Sequence, residues 1–110
     1  LQLAKDLYQW FDSKDKKPAL CKDSPGFIVN RVARSFYGEP LRIAETEDQA
    51  KLKEIDHILK EVGGFKMGPF ELMDLIGVEV NYSVTCSVWE AYNKSARFAP
   101  HKLQKQMVDE

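Results

Sequence analysis

The segment Ser24–Arg34, with the sequence SPGFIVNRVAR, guides the interpretation of the whole chain. Asp23 or Ser24 can cap a helix with a side-chain oxygen, and Pro25 suits the first helical position, where a backbone N–H would lack a partner. The apolar run that follows predicts a helix that begins at Pro25, with one amide, Asn30, inside it. Because a buried amide needs a hydrogen-bond partner, burial alone favours a structural role for Asn30 over a catalytic one.

The composition is that of one folded domain. The chain has 110 residues, of which 44% are hydrophobic and 30% are charged, which suits a single small core and differs from a disordered composition. A formal net charge of -1 provides no overall field that would recruit nucleic acid. No apolar run approaches the roughly 20 residues of a membrane span, and no secretory signal is visible. We therefore expect neither a nucleic-acid nor a membrane partner.

Two cysteines, Cys21 and Cys86, lie far apart in the sequence. They lack CxxC spacing, which argues against a metal site. A disulfide is formally open to them, but the favoured interpretation is two buried or half-buried thiols in a reducing compartment. The expected localisation is therefore cytoplasmic.

The spacing of apolar residues predicts a mainly helical chain. Pro40 is expected to kink or break the second helix, because it removes a backbone donor and clashes with the preceding turn. The apolar run at Pro18–Cys21 predicts a short strand over 18–22, which needs a sheet to be stable. Gly63-Gly64 is expected to end the third helix. The predicted helices cover residues 1–12, 25–45, 49–62, 70–76, 78–94 and 101–110.

Several other polar residues have simple structural interpretations. His57 has no second ligand at metal spacing and is expected at the surface. Glu71 and Asp74 share a helical face, and a favourable charge at the helix start explains them better than acid–base chemistry does. A solvated turn, rather than a phosphate site, is the favoured interpretation of three lysines, Lys14, Lys16 and Lys17.

Two blocks of the chain resemble a known family. Residues 23–31, DSPGFIVNR, resemble the segment that opens the C-terminal helical domain of NAD-dependent 3-hydroxyacyl-CoA dehydrogenases. Residues 63–77, GGFKMGPFELMDLIG, resemble a second block of the same domain, in the expected order. Two long blocks are more specific than a short motif such as GxGxxG, which this chain lacks. The resemblance covers most of the chain and weakens after residue 95.

The resemblance implies an all-α, multi-helix C-terminal domain, preceded by the last helix and a short strand of a Rossmann domain. Residues 1–23 would be the remnant of that NAD-binding domain. Residues 24–110 would be the helical substrate-binding and dimerisation domain, truncated at its C-terminus. NAD would be bound by the absent N-terminal domain, which in this family also carries the catalytic histidine and glutamate. No cofactor-binding or metal-binding residue is therefore expected in this chain.

The resemblance also implies an activity. The full-length parent would convert 3-hydroxyacyl-CoA to 3-oxoacyl-CoA in fatty-acid and acyl-CoA metabolism, and the isolated chain would be inactive. The family's catalytic asparagine matches Asn30, whose amide would orient the histidine and the thioester or 3-oxygen of the substrate. This chain would supply a wall of the acyl-CoA cleft and the interface of a homodimer. Arg31 and Arg34 are interpreted as interdomain or surface contacts.

Two alternatives remain at this stage. The same fold would also serve as a non-catalytic dimerisation module, with Asn30 as a core amide. The large apolar and aromatic surface predicted for the helix over 78–94 supports that alternative. A weaker alternative is the helical domain of a related hydroxy-acid dehydrogenase, since such families share a two-domain plan.

Overall fold

All regular secondary structure in the described part of the chain is helical. The computed structural model describes residues 1–46 and 51–110, and the expected all-α, multi-helix fold is confirmed. The first two residues of the helix predicted over 49–62 lie outside the described residues. The helices are α1 (Gln2–Asp12), α2 (Val29–Thr46), α3 (Leu52–Glu61), α4 (Pro69–Ile76), α5 (Val78–Ala91) and α6 (Lys102–Asp109), with a short 3-10 helix at Ala96–Phe98.

Helix α2 is the centre of the packed body. It contributes Tyr37, Leu41 and Ala44 to the core, where they meet Met73 of α4 and Leu103 of α6. The spacing of the three α2 residues, i, i+4 and i+7, places them on one face of the helix. One long helix therefore packs against α4, α5 and α6.

Pro40 does not break α2, so of the expected kink or break, the break is wrong. The helix runs from Val29 to Thr46 with Pro40 inside it. Pro40 itself is buried, and Leu41 and Ala44 just beyond it are each only 1% exposed. Burial of these side chains stabilises the turn after the proline and offsets the backbone hydrogen bond that the proline cannot make.

The start of α2 also differs from the prediction. The helix begins at Val29, four residues after Pro25, because Gly26 and Phe27 have φ angles of +80° and +44°. These are left-handed backbone conformations that cannot belong to a right-handed helix. A Cβ on Gly26 would lie 3.1 Å from Cγ2 of Val88, so glycine also permits the close approach of this turn to α5.

The predicted strand over 18–22 is wrong. These residues have no strand or bridge assignment, because no strand exists elsewhere in the described residues to pair with them. Cys21 in this segment is exposed, contrary to the expectation of a buried or half-buried thiol. Cys86 is half-buried, and both cysteines are free thiols.

Helix α1 forms as predicted but buries none of its residues. Its apolar side chains face solvent; Leu3 is 71% exposed and Trp10 is 55% exposed. None of the extensive helix–helix contacts among the described residues involves α1. The radius of gyration is 16.5 Å, compared with about 13 Å for a compact domain of this length. No described helix is long and apolar enough to cross a membrane.

The arginine at position 34 is buried, so its interpretation as a surface or interdomain contact is wrong. The side chain is 5% exposed and reaches from α2 into α5. Its Nη1 donates to the backbone carbonyl of Asn81 at 3.1 Å and to Oγ1 of Thr85 at 2.9 Å. Its Nε donates to the carbonyl of Asn30 at 3.0 Å. Burial lowers the pKa of Arg34, and the neighbouring Tyr37 partly opposes this effect.

The same network extends to α6 through two buried amides. Nε2 of Gln104 donates to Oδ1 of Asn81 at 2.8 Å, and these residues are 0% and 1% exposed. Nη1 of Arg34 lies 3.3 Å from the same oxygen. Because a guanidinium can only donate hydrogen bonds, the side-chain atom of Asn81 that faces it is the oxygen Oδ1 and not the nitrogen Nδ2. One polar cluster (Arg34, Asn81, Thr85 and Gln104) thus joins α2, α5 and α6.

Removal of Arg34 is expected to destabilise the fold. In Arg34→Ala, the carbonyl of Asn81 and the hydroxyl of Thr85 lose their charged donor inside the body, which should lower the free energy of unfolding by about 2 to 4 kcal/mol. Arg31→Ala is the matched control, since Arg31 is exposed on the same helix and lies over the ring of Tyr92; it should cost less than about 1 kcal/mol. Urea denaturation measures the free energy of unfolding of both variants. An equal decrease in the two variants would contradict the role of Arg34.

A carboxylate at the end of α2 caps the start of α6. Oε1 of Glu45 accepts from the backbone N–H of Leu103 at 3.0 Å, and Oε2 lies 3.2 Å from Nδ1 of His101. Partial burial by itself would raise the pKa of Glu45, but the bonds from Leu103 and His101 outweigh it and lower the pKa from its ordinary value of 4.5. The contact therefore favours the ionised carboxylate.

The stability contributed by Glu45 should depend on pH. Because its pKa is lowered on folding, the contribution is present above pH 4.5 and is lost as the pH falls through the lowered value. Glu45→Gln should therefore be less stable by about 1 kcal/mol at pH 7, with a deficit that shrinks on acidification below pH 4.5. Glu39→Gln, an exposed substitution on α2, is the control. If chemical denaturation shows that Glu45→Gln is less stable by the same amount at every pH, the ionised carboxylate of Glu45 is not the source of the stability.

Candidate functional site

A largely apolar groove lies beside the N-terminal half of α2. Its volume is about 440 Å³, within the usual range of about 300 to 1,000 Å³ for ligand sites. The lining residues come from α2, from the loop between α3 and α4, and from α4 itself: Val29, Asn30, Ala33, Phe36, Tyr37, Phe65, Lys66, Met67 and Leu72. The two blocks singled out in the sequence therefore form two walls of one site.

Asn30 lies in the first turn of α2 and lines this groove. The residue is exposed, so the alternative in which it is a core amide is wrong. Its side chain has no hydrogen-bond partner among the residues that the structure describes. The amide is therefore available to donate to, and accept from, a molecule in the groove.

The backbone under Asn30 is held by the buried cluster. The carbonyl of Asn30 accepts from Nε of Arg34 at 3.0 Å, and the other end of that guanidinium is bound to Asn81 and Thr85. An exposed amide thus stands on a backbone that is tied to the core. The bond fixes the backbone from which the amide extends, while the amide itself stays free to meet a ligand.

Tyr37 adds a neutral phenol to the groove. It is 7% exposed, and the guanidinium of Arg34 lies over its ring at 4.9 Å from the centroid. Burial raises the pKa of Tyr37, and the positive charge of Arg34 partly opposes this effect. The phenol therefore remains protonated at neutral pH and contributes mainly an aromatic surface.

The second wall is anchored by residues on both sides of the loop. The ring of Phe65 packs against Phe36 of α2, with centroids 4.8 Å apart. At the other end, Asp56 of α3 caps α4: its carboxylate accepts the N–H of Phe70 at 2.9 Å and the N–H of Glu71 at 2.8 Å. The sequence analysis missed this role of Asp56. The signal that could have found it is Gly68, since a glycine at the N-cap position has no side chain to cap the helix.

Gly68 makes the approach of Asp56 sterically feasible. A Cβ at Gly68 would overlap the carboxylate of Asp56. Glu71 completes the end of the helix: its Oε2 lies 3.1 Å from Nζ of Lys60 and 3.4 Å from the N–H of Gly68. The bond from Lys60, and then the one from Gly68, lowers the pKa of Glu71. The interpretation of Glu71 as a helix-start carboxylate is confirmed.

The remaining candidates from the sequence do not converge on the groove. His57 is exposed, as expected. Asp74 is also exposed, but it lies beyond the first turn of α4, so its interpretation as a helix-start carboxylate is wrong. Neither lines the groove. Among the described residues, no group of three or more His, Cys, Asp or Glu side chains is placed to hold a metal ion. The described residues also form no strand, so they do not fit the strand–loop–helix cradle that binds NAD in a Rossmann domain.

Comparison with known proteins places the whole helical body in one family. A family model described as "3-hydroxyacyl-CoA dehydrogenase, C-terminal domain" matches residues 26–110. The crystal structure of 3-hydroxybutyryl-CoA dehydrogenase from Escherichia coli K12 superimposes with a TM-score of 0.88 and 44% sequence identity. That match covers 98% of this chain and 23% of the other.

Two curated relatives agree with this match. The chain is 50% identical over 93 residues to 3-hydroxyadipyl-CoA dehydrogenase of Escherichia coli (strain K12), covering 84% of this chain and 19% of that protein. It is 36% identical over 95 residues to the mitochondrial hydroxyacyl-coenzyme A dehydrogenase of Sus scrofa, covering 86% of this chain and 30% of that protein. The chain therefore spans only between a fifth and a third of the length of these relatives.

Proposed function

The chain belongs to the family of 3-hydroxyacyl-CoA dehydrogenase C-terminal domains, and from this premise we propose that it forms one wall of the acyl-CoA cleft in such an enzyme. The reaction is the oxidation of 3-hydroxyacyl-CoA to 3-oxoacyl-CoA with NAD. The observation that carries the proposal is the apolar groove with an unpaired amide, Asn30, in its wall. An apolar wall suits an acyl chain, and an amide suits the polar atoms next to the reacting carbon.

Asn30 acts in this proposal by positioning and charge stabilisation. Its Nδ2 donates to the thioester carbonyl or to the 3-oxygen, where negative charge develops, and its Oδ1 remains able to orient a donor. Neither role requires the amide to lose or gain a proton. The bond from Arg34 to the carbonyl of Asn30 supports this role, because it fixes the position of the backbone from which the amide reaches the substrate.

The proposed enzyme contains a second domain that binds NAD and carries the acid–base residues. Residues 1–23 belong to that nucleotide-binding domain, and residues 24–110 form the helical domain. The exposed apolar face of α1 supports this division, because such a face needs a packing partner; it consists of Leu3, Leu7, Trp10 and Phe11. The chain alone is then inactive.

We propose that the enzyme works in the cytoplasm.

The names of the relatives support a CoA thioester as the substrate. One is named for 3-hydroxyadipyl-CoA and another for 3-hydroxybutyryl-CoA. These acyl groups differ in length and in the chemistry of their far ends, but both carry a 3-hydroxyl group and a thioester. The amide of Asn30 in the wall of the groove can form a hydrogen bond with the 3-oxygen or with the thioester carbonyl.

Asn30→Ala in the full-length protein is expected to impair turnover. With acetoacetyl-CoA and NADH, the variant should lose about tenfold or more in kcat, equivalent to about 1.4 kcal/mol of transition-state stabilisation. Val32→Ala is a matched control, because Val32 is exposed on the same helix and does not line the groove. Steady-state kinetics measure the effect, and urea denaturation of each variant excludes loss of folding.

Two results would overturn parts of this proposal. If the wild-type protein shows no turnover with acetoacetyl-CoA or with longer 3-oxoacyl-CoA substrates, the proposed activity is wrong. If the wild type is active and Asn30→Ala matches it, Asn30 has no catalytic role. The domain would then serve for binding or for association, as in the alternative of a non-catalytic module.

We also propose that the protein is a homodimer. Support comes from apolar side chains of α3 and of the residues just after it that remain exposed, namely Ile58, Val62 and Phe65. The full-length protein should have the mass of a dimer by light scattering at tens of micromolar, where a self-complementary apolar interface persists. A monomeric mass at this concentration would contradict the proposal.

A further inference from the structure

We propose that Lys66 selects acyl-CoA substrates whose acyl chain ends in a second carboxylate. Its ammonium group would pair with that carboxylate while the thioester end of the substrate lies near Asn30. This inference rests on the proposed function, since it assigns a substrate class to the same groove. It also assigns a role to a residue of the second sequence block that had none.

The first argument is the distribution of charge in the groove. Of the residues that the structure describes, Lys66 is the only charged one that lines it. The other lining residues are apolar, apart from the amide of Asn30 and the phenol of Tyr37. An unbranched alkyl chain gains nothing from an ammonium group in its wall, whereas a carboxylate gains a charge-assisted hydrogen bond there.

The second argument is the placement of the backbone at Lys66. The preceding residue, Phe65, packs its ring on Phe36, and its N–H donates to the carbonyl of Leu59 at 3.2 Å. On the other side, Gly68 is buried against Asp56. The loop is therefore fixed on both sides of the two residues Lys66 and Met67. Lys66 extends from a defined position rather than from a freely moving loop.

The third argument is that the nearby carboxylates already have partners. Both oxygens of Asp56 accept backbone N–H groups at the start of α4. Glu71 forms an ion pair with Lys60 at 3.1 Å. No carboxylate among the described residues forms an ion pair with Lys66. The ammonium group is consequently available to an anion that enters the groove.

The anion could in principle come from another part of the substrate, because CoA itself carries phosphate groups. These two sources differ in a measurable way. Every acyl-CoA contains the phosphates, whereas only some acyl chains contain a terminal carboxylate. The informative quantity is therefore the ratio of kcat/KM between two substrates that differ only at the end of the acyl chain.

The test compares 3-hydroxyadipyl-CoA with 3-hydroxyhexanoyl-CoA, both with six-carbon acyl chains, in the full-length protein with NAD. Lys66→Met keeps an unbranched, flexible side chain of similar length and removes its charge. We expect the ratio of kcat/KM, adipyl over hexanoyl, to fall about tenfold or more, since a charge-assisted hydrogen bond is lost. Lys66→Arg should restore most of the ratio. Lys53→Met, on the exposed surface of α3, is the matched control and should leave the ratio unchanged.

Each other outcome overturns the inference in a distinguishable way. If Lys66→Met weakens both substrates equally, Lys66 contacts the CoA phosphates and does not select the acyl end. If neither kcat/KM value changes, Lys66 is a solvated surface lysine. If the wild-type protein oxidises neither substrate, the proposed function fails and this inference fails with it. If the wild type is active and Lys66→Met leaves the ratio of the two kcat/KM values unchanged, the proposed function stands and only the role of Lys66 is wrong.

Discussion

The buried guanidinium of Arg34 is the interaction on which the helical body depends. It binds the carbonyl of Asn81 and the hydroxyl of Thr85, and Asn81 in turn binds Gln104. A charged group that is buried to this extent is stable only when its donors are used, because desolvation is costly. The positions of α2, α5 and α6 are therefore coupled through one polar cluster.

The same guanidinium links the core to the candidate site. Its third bond is to the carbonyl of Asn30, whose side chain faces no partner in the described residues. The fold thus keeps an exposed amide on a fixed backbone. This arrangement is useful for recognising a polar ligand, because the backbone that carries the amide is ordered on folding rather than on binding. Stability and the proposed function depend on the same side chain.

The groove depends equally on the loop between α3 and α4. Asp56 caps α4 from a neighbouring helix, and Gly68 provides the space for its carboxylate. Phe65 then packs on α2, which brings the loop to the first wall. The two resembling blocks are separated by more than 30 residues in the sequence, but the packing of these side chains makes them walls of one groove.

The sequence by itself determined the helical class, the approximate extents of most helices, the glycine stop after α3 and the family. These depend on local periodicity and on residue types at fixed spacing, which the linear chain contains. Only the tertiary structure decided that Arg34 is buried, that Asn30 is exposed, that α2 begins at Val29 and continues through Pro40, and that Asp56 caps α4. Each of these depends on contacts between residues distant in sequence, and local propensity is overridden where such contacts are stronger. The strand over 18–22 is absent from the described residues for the same reason, since a strand is stable only beside another strand.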